Sequence, residues 1–515
     1  MTALPLHFEL PEHMAAEKFL SKLGKKIDFQ IASEQYATKT FYDSFDWRLY
    51  SAGILCELNQ SKSASHISLI DRNTGKCLAL ENQQEVPSFS NQFQDGRLKT
   101  QLDPILEMRA LLPLCQLPYQ IFHINVLNKD QKTTVRIKLE AYENLGSRIS
   151  LQPLKGYEKA VARVSQLLEK SLALVPTQSS ILNSALKLQG RKAQDYSSKL
   201  VIKLDPELRA DRASKVIYRA LLKSIKINEA GTIADIDTEF LHDYRVAIRR
   251  TRAGLSQIKN VFPDSIVTQY ASFFAWLGQI TSATRDLDVY LLNYQQYKAA
   301  LPKSLQEDIT PLYTFLKQKQ KQAQTELATH LKNPNYIKQL LAWEQFLKEP
   351  LPEKGCSNAA NLTIKELADQ RIWKVYKRLI KEANEITEDS PAESLHDLRK
   401  TCKKLRYLME FFQSLYPADE IKALIKALKG FQSVLGDFQD YEVQENSLKK
   451  FSAEMMANKV ESNTFLAMGV LVQYLDSMRN AARHDFAKQY KLFKQEENRI
   501  VFKSLFAPQI EVKKS

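Results

Sequence analysis

The feature that most constrains the fold of this chain is an internal duplication in its C-terminal part. The motif His242-Asp243-x-Arg245 recurs 154 positions later as His396-Asp397-x-Arg399. Three more motif pairs keep this offset without a gap: Arg249-Arg250-x-Arg252 with Lys403-Lys404-x-Arg406, Phe262-Pro263 with Tyr416-Pro417, and Asp286-x-Asp288-Val289 with Asp440-x-Glu442-Val443. Solenoid repeats are much shorter, at about 20–50 residues. The offset therefore indicates two copies of a helical unit, for which a pair of four-helix bundles is the simplest geometry.

The chain divides into a strand-rich part and a helical part. Short β-forming runs broken by Asn, Asp, Gly and Pro predict an antiparallel, β-rich domain over residues 1–165. A helix and linker follow at 166–200. Long, glycine-poor segments with 3.6-residue periodicity then predict two helical bundles, at 201–350 and 351–515. The sequence thus predicts a multidomain α+β protein whose C-terminal part is all-α.

Each copy of the repeat carries a stripe of basic side chains on one helix. The stripes consist of His242, Arg245, Arg249 and Arg252 in the first copy and of His396, Arg399, Lys403 and Arg406 in the second. At about 100° per residue, each stripe lies within an arc of about 80°, beside an apolar face. Other cations lie beside the stripes or at helical spacing on the preceding helices, namely Arg250, Lys400, Lys404, Arg212, Arg219, Lys223, Lys374 and Arg378.

Four helices with rows of cations could together line a groove for a flexible polyanion. Arginine would hold phosphate oxygens with paired hydrogen bonds, and lysine would act as a point charge. Phosphates would also favour the protonated form of a histidine at the end of a stripe. The formal net charge of +14 agrees with a polyanionic partner. The alternative is that these rows are ordinary solvated faces, neutralised by the acids of the Asp286-x-Asp288 and Asp440-x-Glu442 motifs.

The duplicated segments resemble a known family. LHDYRVAIRRTRAGL with TRDLDV, and LHDLRKTCKKLRYLMEFF with LGDFQDYEV, are similar to the CHAD family, the conserved histidine α-helical domain. The resemblance covers about 200–515. It implies two pseudo-symmetric four-helix bundles that bind inorganic polyphosphate in a basic central groove. The basic residues named above are the expected ligands, and no metal, cofactor or catalytic residue is expected.

The N-terminal part resembles the CYTH family, a triphosphate tunnel fold that often precedes CHAD. The likeness lies in FYDSFDWRLYSAG at 41–53 and PLKGYE at 153–158. The family opens with E-x-E-x-K, whose glutamates hold a divalent metal, whereas this chain reads His7-Phe8-Glu9-Leu10-Pro11. ILCELN at 54–59 also lacks the family's alternating arginines. We therefore expect a degenerate domain without hydrolytic activity, in which Glu9 and His7 have no special role.

Besides a purely structural adaptor role, two other functions remain open at this stage. The first is a metal-dependent triphosphatase in residues 1–165, which would require acids that the sequence does not offer. The second is a nucleic-acid binder. We do not expect nucleic acid as the ligand, because Tyr244 and Phe412 lie on the apolar arcs and not among the cations. The sequence leaves the oligomeric state undetermined.

The expected location is the cytoplasm. No apolar run reaches the roughly 18 residues of a membrane span, so we expect no membrane partner. The first residues include three glutamates and do not resemble a signal peptide. Five scattered cysteines without a CxxC motif fit a reducing compartment. The CHAD resemblance further implies association with polyphosphate granules.

Overall fold

The computed structural model describes the chain in five stretches, which are 6–11, 14–177, 180–352, 357–457 and 460–508. They belong to two compact units, Met1–Ser198 and Lys199–Ser515. The first unit contains the β-sheet and the second is helical, which confirms the predicted order of a β-rich domain and an all-α region. No helix in the described stretches is long and apolar enough to cross a membrane.

The described part of the first unit forms one antiparallel sheet. Its strands are β1 (His7–Glu9), β2 (Phe29–Asp43), β3 (Ile54–Ser61), β4 (Ser65–Asp71), β5 (Cys77–Asn82), β6 (Leu112–Leu127), β7 (Thr133–Tyr142), β8 (Arg148–Pro153) and β9 (Val175–Pro176). Their order across the sheet is β5-β4-β3-β2-β6-β7-β8-β1-β9. The long strands β2 and β6 pair from Phe29 opposite Val126 to Asp43 opposite Leu112. Because β9 pairs with β1, the sheet extends beyond residue 165.

Alternation along the strands separates an apolar face of this sheet from a polar one. The helices of the unit are α1 (Ala16–Gly24), α2 (Arg48–Ser51), α3 (Arg97–Leu106), α4 (Glu158–Gln166) and α5 (Ile181–Leu188). In β7, Val135, Ile137 and Leu139 are buried in a core that also contains residues of α1 and α4. Lys138 and Glu140 therefore point to the opposite face, which is the polar interior of the unit.

The helical unit shows the duplication in its helix boundaries. Its helices are α6 (Ala210–Ile233), α7 (Thr238–Gln257), α8 (Asp264–Ile280), α9 (Ser282–Ala300), α10 (Thr310–Lys332), α11 (Pro334–Lys348), α12 (Asn358–Asn361), α13 (Ile364–Asn384), α14 (Ala392–Phe412), α15 (Ala418–Met456), α16 (Ser462–Phe493) and α17 (Glu496–Phe506). The pairs α6 and α13, α7 and α14, and α8 and α15 each begin 154 residues apart. The 39-residue helix α15 replaces both α8 and α9, which are separated only by a turn at Thr281.

The two copies share their hydrophobic cores. The larger core combines α6, α7, α8 and α11 of the first copy with α13, α14 and the beginning of α15 in the second. A smaller core joins α9 and α10 to the end of α15 and the beginning of α16, where the Tyr290 and Phe451 rings meet edge to face at 5.5 Å. Packing between the copies thus brings α7 and α14 into contact.

Candidate functional site

The sequence of α7 positions its basic stripe by burying the adjacent face. Asp237 caps the N-terminus of the helix, since its carboxylate accepts hydrogen bonds from the backbone N–H groups of Glu239 and Phe240. Tyr244 is 0% exposed and packs in the core, while Arg249 is half-buried at the edge of the apolar face. In α14, the core residues Leu398, Cys402 and Leu405 likewise leave the basic stripe at the boundary with solvent.

The stripes of α7 and α14 meet around Lys403. Its pKa is lowered to about 8, first by burial and then by the neighbouring cations Arg399, Arg249 and Arg406, while Asp440 acts in the opposite direction. Like charges destabilise the protonated form of lysine only at short range. Arg249 belongs to the first copy and Lys403 to the second. Cations of the two copies therefore share one electrostatic environment.

Arg245 extends this environment along α7. Burial, followed by Arg249, lowers the pKa of Arg245 to about 10. Asp286 opposes this effect, while Arg285 and Arg252 add to it. The Arg245 Nη1 atom donates to the backbone oxygen of Gly278 at 3.1 Å and to hydroxyls of the following turn, so its position is fixed. We call the following set the central cationic cluster: Arg245, Arg249, Arg252, Arg285, Arg399, Lys403 and Arg406.

Several cations in or beside this cluster have no acidic partner among the described residues. Within the described stretches, no carboxylate lies within ion-pair distance of Arg249, Arg252, Lys403 or Lys404. The buried Nε atoms of Arg249, Arg399 and Arg406 also donate no hydrogen bond. Desolvated cations and unused donors carry a free-energy cost, which an anionic ligand would reduce.

Other predicted ligands are already paired. Arg250 donates to the buried Glu410 at 2.9 Å, and Arg406 lies 3.7 Å from the other oxygen of the same carboxylate. Arg399 Nη2 is 3.0 Å from a carboxylate oxygen of the exposed Asp440. This pair agrees with the alternative in which the acids of the duplicated motifs neutralise the basic stripes. Lys400 pairs with Asp397 within α14. The acids thus offset part of the basic surface and leave its centre, at Arg249 and Lys403, uncompensated.

The remaining acids of the duplicated motifs differ in their surroundings. Asp288 accepts a hydrogen bond from Gln320 at 3.1 Å, and Glu442 accepts one from Gln439 at 3.3 Å. Burial raises the pKa of Asp286, Arg245 and Arg285 oppose this change, and Asp440 adds to it. Asp286 and Asp440 therefore lie close enough to interact across the two copies.

The two motif histidines have different surroundings. His396 Nδ1 makes a hydrogen bond with the side chain of Gln439. His242 lies beside Glu239 and Asp243, and one ligand atom from each lies within 4.8 Å of the others. Although such atoms can hold a metal, Arg285 is 4.0 Å from Glu239 and its charge disfavours a cation there.

The predicted ligands on α6 lie in a different place. Arg219 and Lys223 line a cavity of about 470 Å³ beside α11. We call it the α6–α11 groove, and its lining residues are Arg219, Leu222, Lys223, Lys226, Ile227, Glu344 and Lys348. Arg219 and Lys223 thus belong to this groove and not to the central cationic cluster, so the structure does not reproduce a single groove lined by all four helices. Arg212 is exposed on the same helix.

On α13, Lys374 is exposed and Arg378 donates to Glu382 at 2.5 Å. Arg285 was not predicted as a site residue, although it lies in the segment TRDLDV that resembles the CHAD family. Its position next to the duplicated Asp286-x-Asp288 motif could have identified it as a candidate. The equivalent residue of the second copy is Gln439, so the duplication did not draw attention to it.

The polar interior of the first unit contains charged groups that the sequence analysis also missed. Lys39 Nζ lies 3.4 Å from Glu57 and 3.0 Å from Glu140, and Lys138 Nζ is 2.6 Å from Glu140. A cavity of about 260 Å³ lies beside them, lined by residues of β2, β3, β4, β6, β7 and β8 that include His66. These cations are matched by carboxylates, so this interior offers little free positive charge.

Glu9 and His7 of β1 face the same interior. Glu9 forms an ion pair with Arg148, although its side chain is 37% exposed. His7 Nδ1 lies 3.1 Å from the hydroxyl of Ser150. Glu9 is therefore the partner of a buried arginine, a role that the sequence pattern did not indicate.

The model of the CHAD domain family matches residues 216–449. The CHAD domain from the plant Ricinus communis is 23% identical, with 60% of this chain and 97% of that chain covered and a TM-score of 0.45. PptA from Streptomyces chartreusis is 15% identical, with 55% of this chain and 99% of that chain covered and a TM-score of 0.44. A putative adenylate cyclase from Vibrio parahaemolyticus is 16% identical, with 33% of this chain and 84% of that chain covered and a TM-score of 0.22. No curated protein matches the chain. The stretch 216–449 contains every residue of the central cationic cluster, and this part of the chain is a CHAD domain.

Proposed function

We propose that this protein binds inorganic polyphosphate at the central cationic cluster without catalysing a reaction. The observation that carries the proposal is the convergence of two equivalent basic stripes, in which Arg249 and Lys403 lack an acidic partner in the described stretches. A linear chain with a regular series of negative charges can contact both stripes at once. The CHAD domain supports this ligand, since the family resemblance implies polyphosphate binding.

Binding would combine fixed hydrogen-bond donors with local charge. The guanidinium of Arg245 is held by Gly278, Thr281 and Ser282, so it can meet a phosphate with little loss of side-chain entropy. Arginines would grip phosphate oxygens in pairs, while Lys403 would gain its proton fully when an anion lies beside it. Release of counterions from the polyanion would add a strong salt dependence.

The first unit supports the non-enzymatic part of the proposal. A triphosphate carries several negative charges, and its binding requires cations that are free to face it. In the polar interior, Lys39 and Lys138 face carboxylates instead, and Arg148 pairs with Glu9. We therefore assign no hydrolytic role to this unit.

Nucleic acid is the competing polyanion. Proteins that bind single strands stack bases on exposed aromatic rings. Tyr244 and Phe412 flank the stripes and are both 0% exposed, and Tyr407 beside Arg406 is 5% exposed, so all three rings belong to the core. The site thus favours a ligand that consists of phosphate alone.

The proposal is tested by titrating labelled long-chain polyphosphate into the full chain at several salt concentrations. We expect tight binding that weakens steeply with salt, and a loss of affinity by orders of magnitude in the Arg249→Glu/Lys403→Glu variant. The matched control is Lys422→Glu/Lys426→Glu on α15, which changes the charge equally at exposed lysines that have no ion pair in the described stretches.

Two outcomes would contradict the proposal. One is an unchanged affinity in the Arg249→Glu/Lys403→Glu variant while circular dichroism shows an intact fold. The other is displacement of polyphosphate by single-stranded RNA at equal phosphate concentration. The first would remove the central cationic cluster from the site, and the second would change the ligand.

We also propose that the protein acts in the cytoplasm and gathers on polyphosphate granules. The thiols of Cys56, Cys115 and Cys402 are buried and free, as expected in a reducing compartment. A fluorescent fusion should co-localise with stained granules, and the Arg249→Glu/Lys403→Glu fusion should not. Equal granule recruitment of both fusions would contradict this location.

A further inference from the structure

The α6–α11 groove combines a surplus of positive charge with rigid walls. Its described lining contains four cations and one carboxylate, Glu344. The two oxygens of Glu344 lie 2.8 Å from Lys226 Nζ and 2.9 Å from Lys348 Nζ, so this acid is fully engaged. Arg219 and Lys223 are exposed and have no ion pair in the described stretches. Two cations thus remain available to an anionic partner.

Buried contacts hold α6 and α11 together at both ends of the groove. Near one end, Lys215 Nζ donates to the backbone oxygens of Phe346 at 2.5 Å and Glu349 at 2.9 Å. Near the other, the Tyr336 hydroxyl donates to the carboxylate of Glu229. The two helices therefore run antiparallel in a fixed arrangement, and the groove between them is preformed.

The groove also has an apolar character. Leu222 and Ile227 form part of its lining. On α11, Ile337 is 45% exposed and Leu341 is 55% exposed. At about 100° per residue, these two side chains lie within an arc of about 60° that also contains Glu344 and Lys348. One face of α11 therefore presents apolar side chains that continue from the basic end of the groove.

We propose that the α6–α11 groove docks an acidic amphipathic helix of a partner protein. The apolar side chains of such a helix would cover Ile227, Ile337 and Leu341, and its acidic residues would face Arg219 and Lys223. Polyphosphate would gain nothing from the apolar part of this surface, whereas an amphipathic helix uses both parts. The span from Ile337 to Lys348 is about 16 Å, which about three helical turns would cover.

This docking surface is independent of the polyphosphate proposal. The central cationic cluster lies on α7, α9 and α14, while the groove is lined by α6 and α11. Variants of one surface should therefore leave ligand binding at the other unchanged, and each proposal can fail while the other holds.

The test uses the full chain and a labelled synthetic helix of about 14 residues, with leucines at i, i+3, i+4 and i+7 and glutamates elsewhere. Fluorescence anisotropy should show binding that weakens at least tenfold in Arg219→Glu/Lys223→Glu and in Ile337→Ser/Leu341→Ser. The Lys422→Glu/Lys426→Glu control and the Arg249→Glu/Lys403→Glu variant should bind the peptide within twofold of the unchanged protein. All four residues substituted in the first two variants are exposed, so the fold should persist, as circular dichroism would verify.

Three results would overturn the proposal. The first is no binding of the peptide to the unchanged protein. The second is that Arg219→Glu/Lys223→Glu and Ile337→Ser/Leu341→Ser both bind the peptide as tightly as the unchanged protein does. The third is a polyanion preference: a glutamate-only peptide or polyphosphate that displaces the probe, with no effect of Ile337→Ser/Leu341→Ser. That last result would make the groove a second phosphate site.

Discussion

Arg249 and Lys403 occupy the same position in the two copies of the repeat, and their positive charges act on each other. The pKa of Lys403 is lowered to about 8, by burial first and then by Arg399 and Arg249. Clustered like charges destabilise a fold and are typical of functional sites, where they are retained for binding or catalysis. Each copy supplies part of this environment, so the central cationic cluster requires both.

The affinity for polyphosphate should fall as the pH rises above about 8. In the protein without ligand, Lys403 loses its proton near that pH. In the complex, the neighbouring phosphates would raise the pKa of Lys403. Binding above pH 8 then requires proton uptake, so the dissociation constant should rise by up to about tenfold per pH unit. Between pH 7 and 8 it should change little. Isothermal titration across this range measures the effect.

Lys403→Arg should remove most of this pH dependence, because guanidinium remains charged throughout. Lys422→Arg on the exposed surface of α15 is the matched control and should retain it. An equal slope in the Lys403→Arg variant and the unchanged protein would show that another group takes up the proton.

Lys403→Gln should stabilise the free protein while weakening polyphosphate binding. The folded pKa lies below the ordinary value of 10.5, so at pH 7 the charge on Lys403 opposes folding. Allowing for solvent screening at this half-buried site, the free energy of unfolding should rise by about 1–2 kcal/mol. The gain should shrink toward pH 9.5, where the folded lysine is already neutral. Urea denaturation at both pH values tests this, and a less stable variant at pH 7 would contradict it.

Glu410→Gln should destabilise the helical unit. The Glu410 carboxylate is 9% exposed and faces Arg250 and Arg406, so its removal leaves two cations without their acid. The expected loss is about 3 kcal/mol, measured by denaturation followed at the helical circular dichroism signal. Glu420→Gln, at an exposed position on α15, is the control. Equal stability of the two variants would show that Glu410 does not compensate these charges.

Acid should weaken the sheet of the first unit through Glu140. Burial would raise the pKa of this carboxyl, but Lys39 and Lys138 overcome burial and hold the pKa at about 2. The stabilisation is therefore complete above the unfolded value of 4.5 and is lost as the pH falls toward 2. The protection of the β7 amides against hydrogen exchange, which compares their exchange rate with that of an unfolded peptide at the same pH, should fall across this range in the unchanged protein.

Glu140→Gln should exchange faster than the unchanged protein at pH 7 and respond less to acid between pH 4.5 and 2. Glu143→Gln, at a nearby exposed position, should behave like the unchanged protein. The same acid response in Glu140→Gln would assign the effect to another carboxyl.

The first unit should not hydrolyse tripolyphosphate. Its interior cations Lys39, Lys138 and Arg148 are paired with acids, so a triphosphate would have to displace these pairs. Phosphate release in the presence of Mg²⁺ or Mn²⁺ should equal that of a protein-free blank. Turnover that Glu9→Ala abolishes would establish an active triphosphatase instead.

The sequence alone determined the elements of the helical unit and the faces of its helices. Helical periodicity and capping are local, so the phase of the stripe in α7 follows from the chain around Tyr244 and Arg249. The constant offset likewise predicted that α7 and α14 are equivalent, and both begin where the repeat requires. In the first unit, the alternation in β7 was readable, as was the β-rich character of the domain.

Only the tertiary structure decided which of these surfaces meet. Arg219 and Lys223 share the helical spacing of the α7 stripe, yet packing places them beside α11. Glu410 lies 160 residues from Arg250 and neutralises it only because α14 packs against α7. Lys39 and Glu140 are 101 residues apart and pair through the register of the sheet. Electrostatic partners depend on distances in space, and these are set by long-range packing that no local pattern encodes.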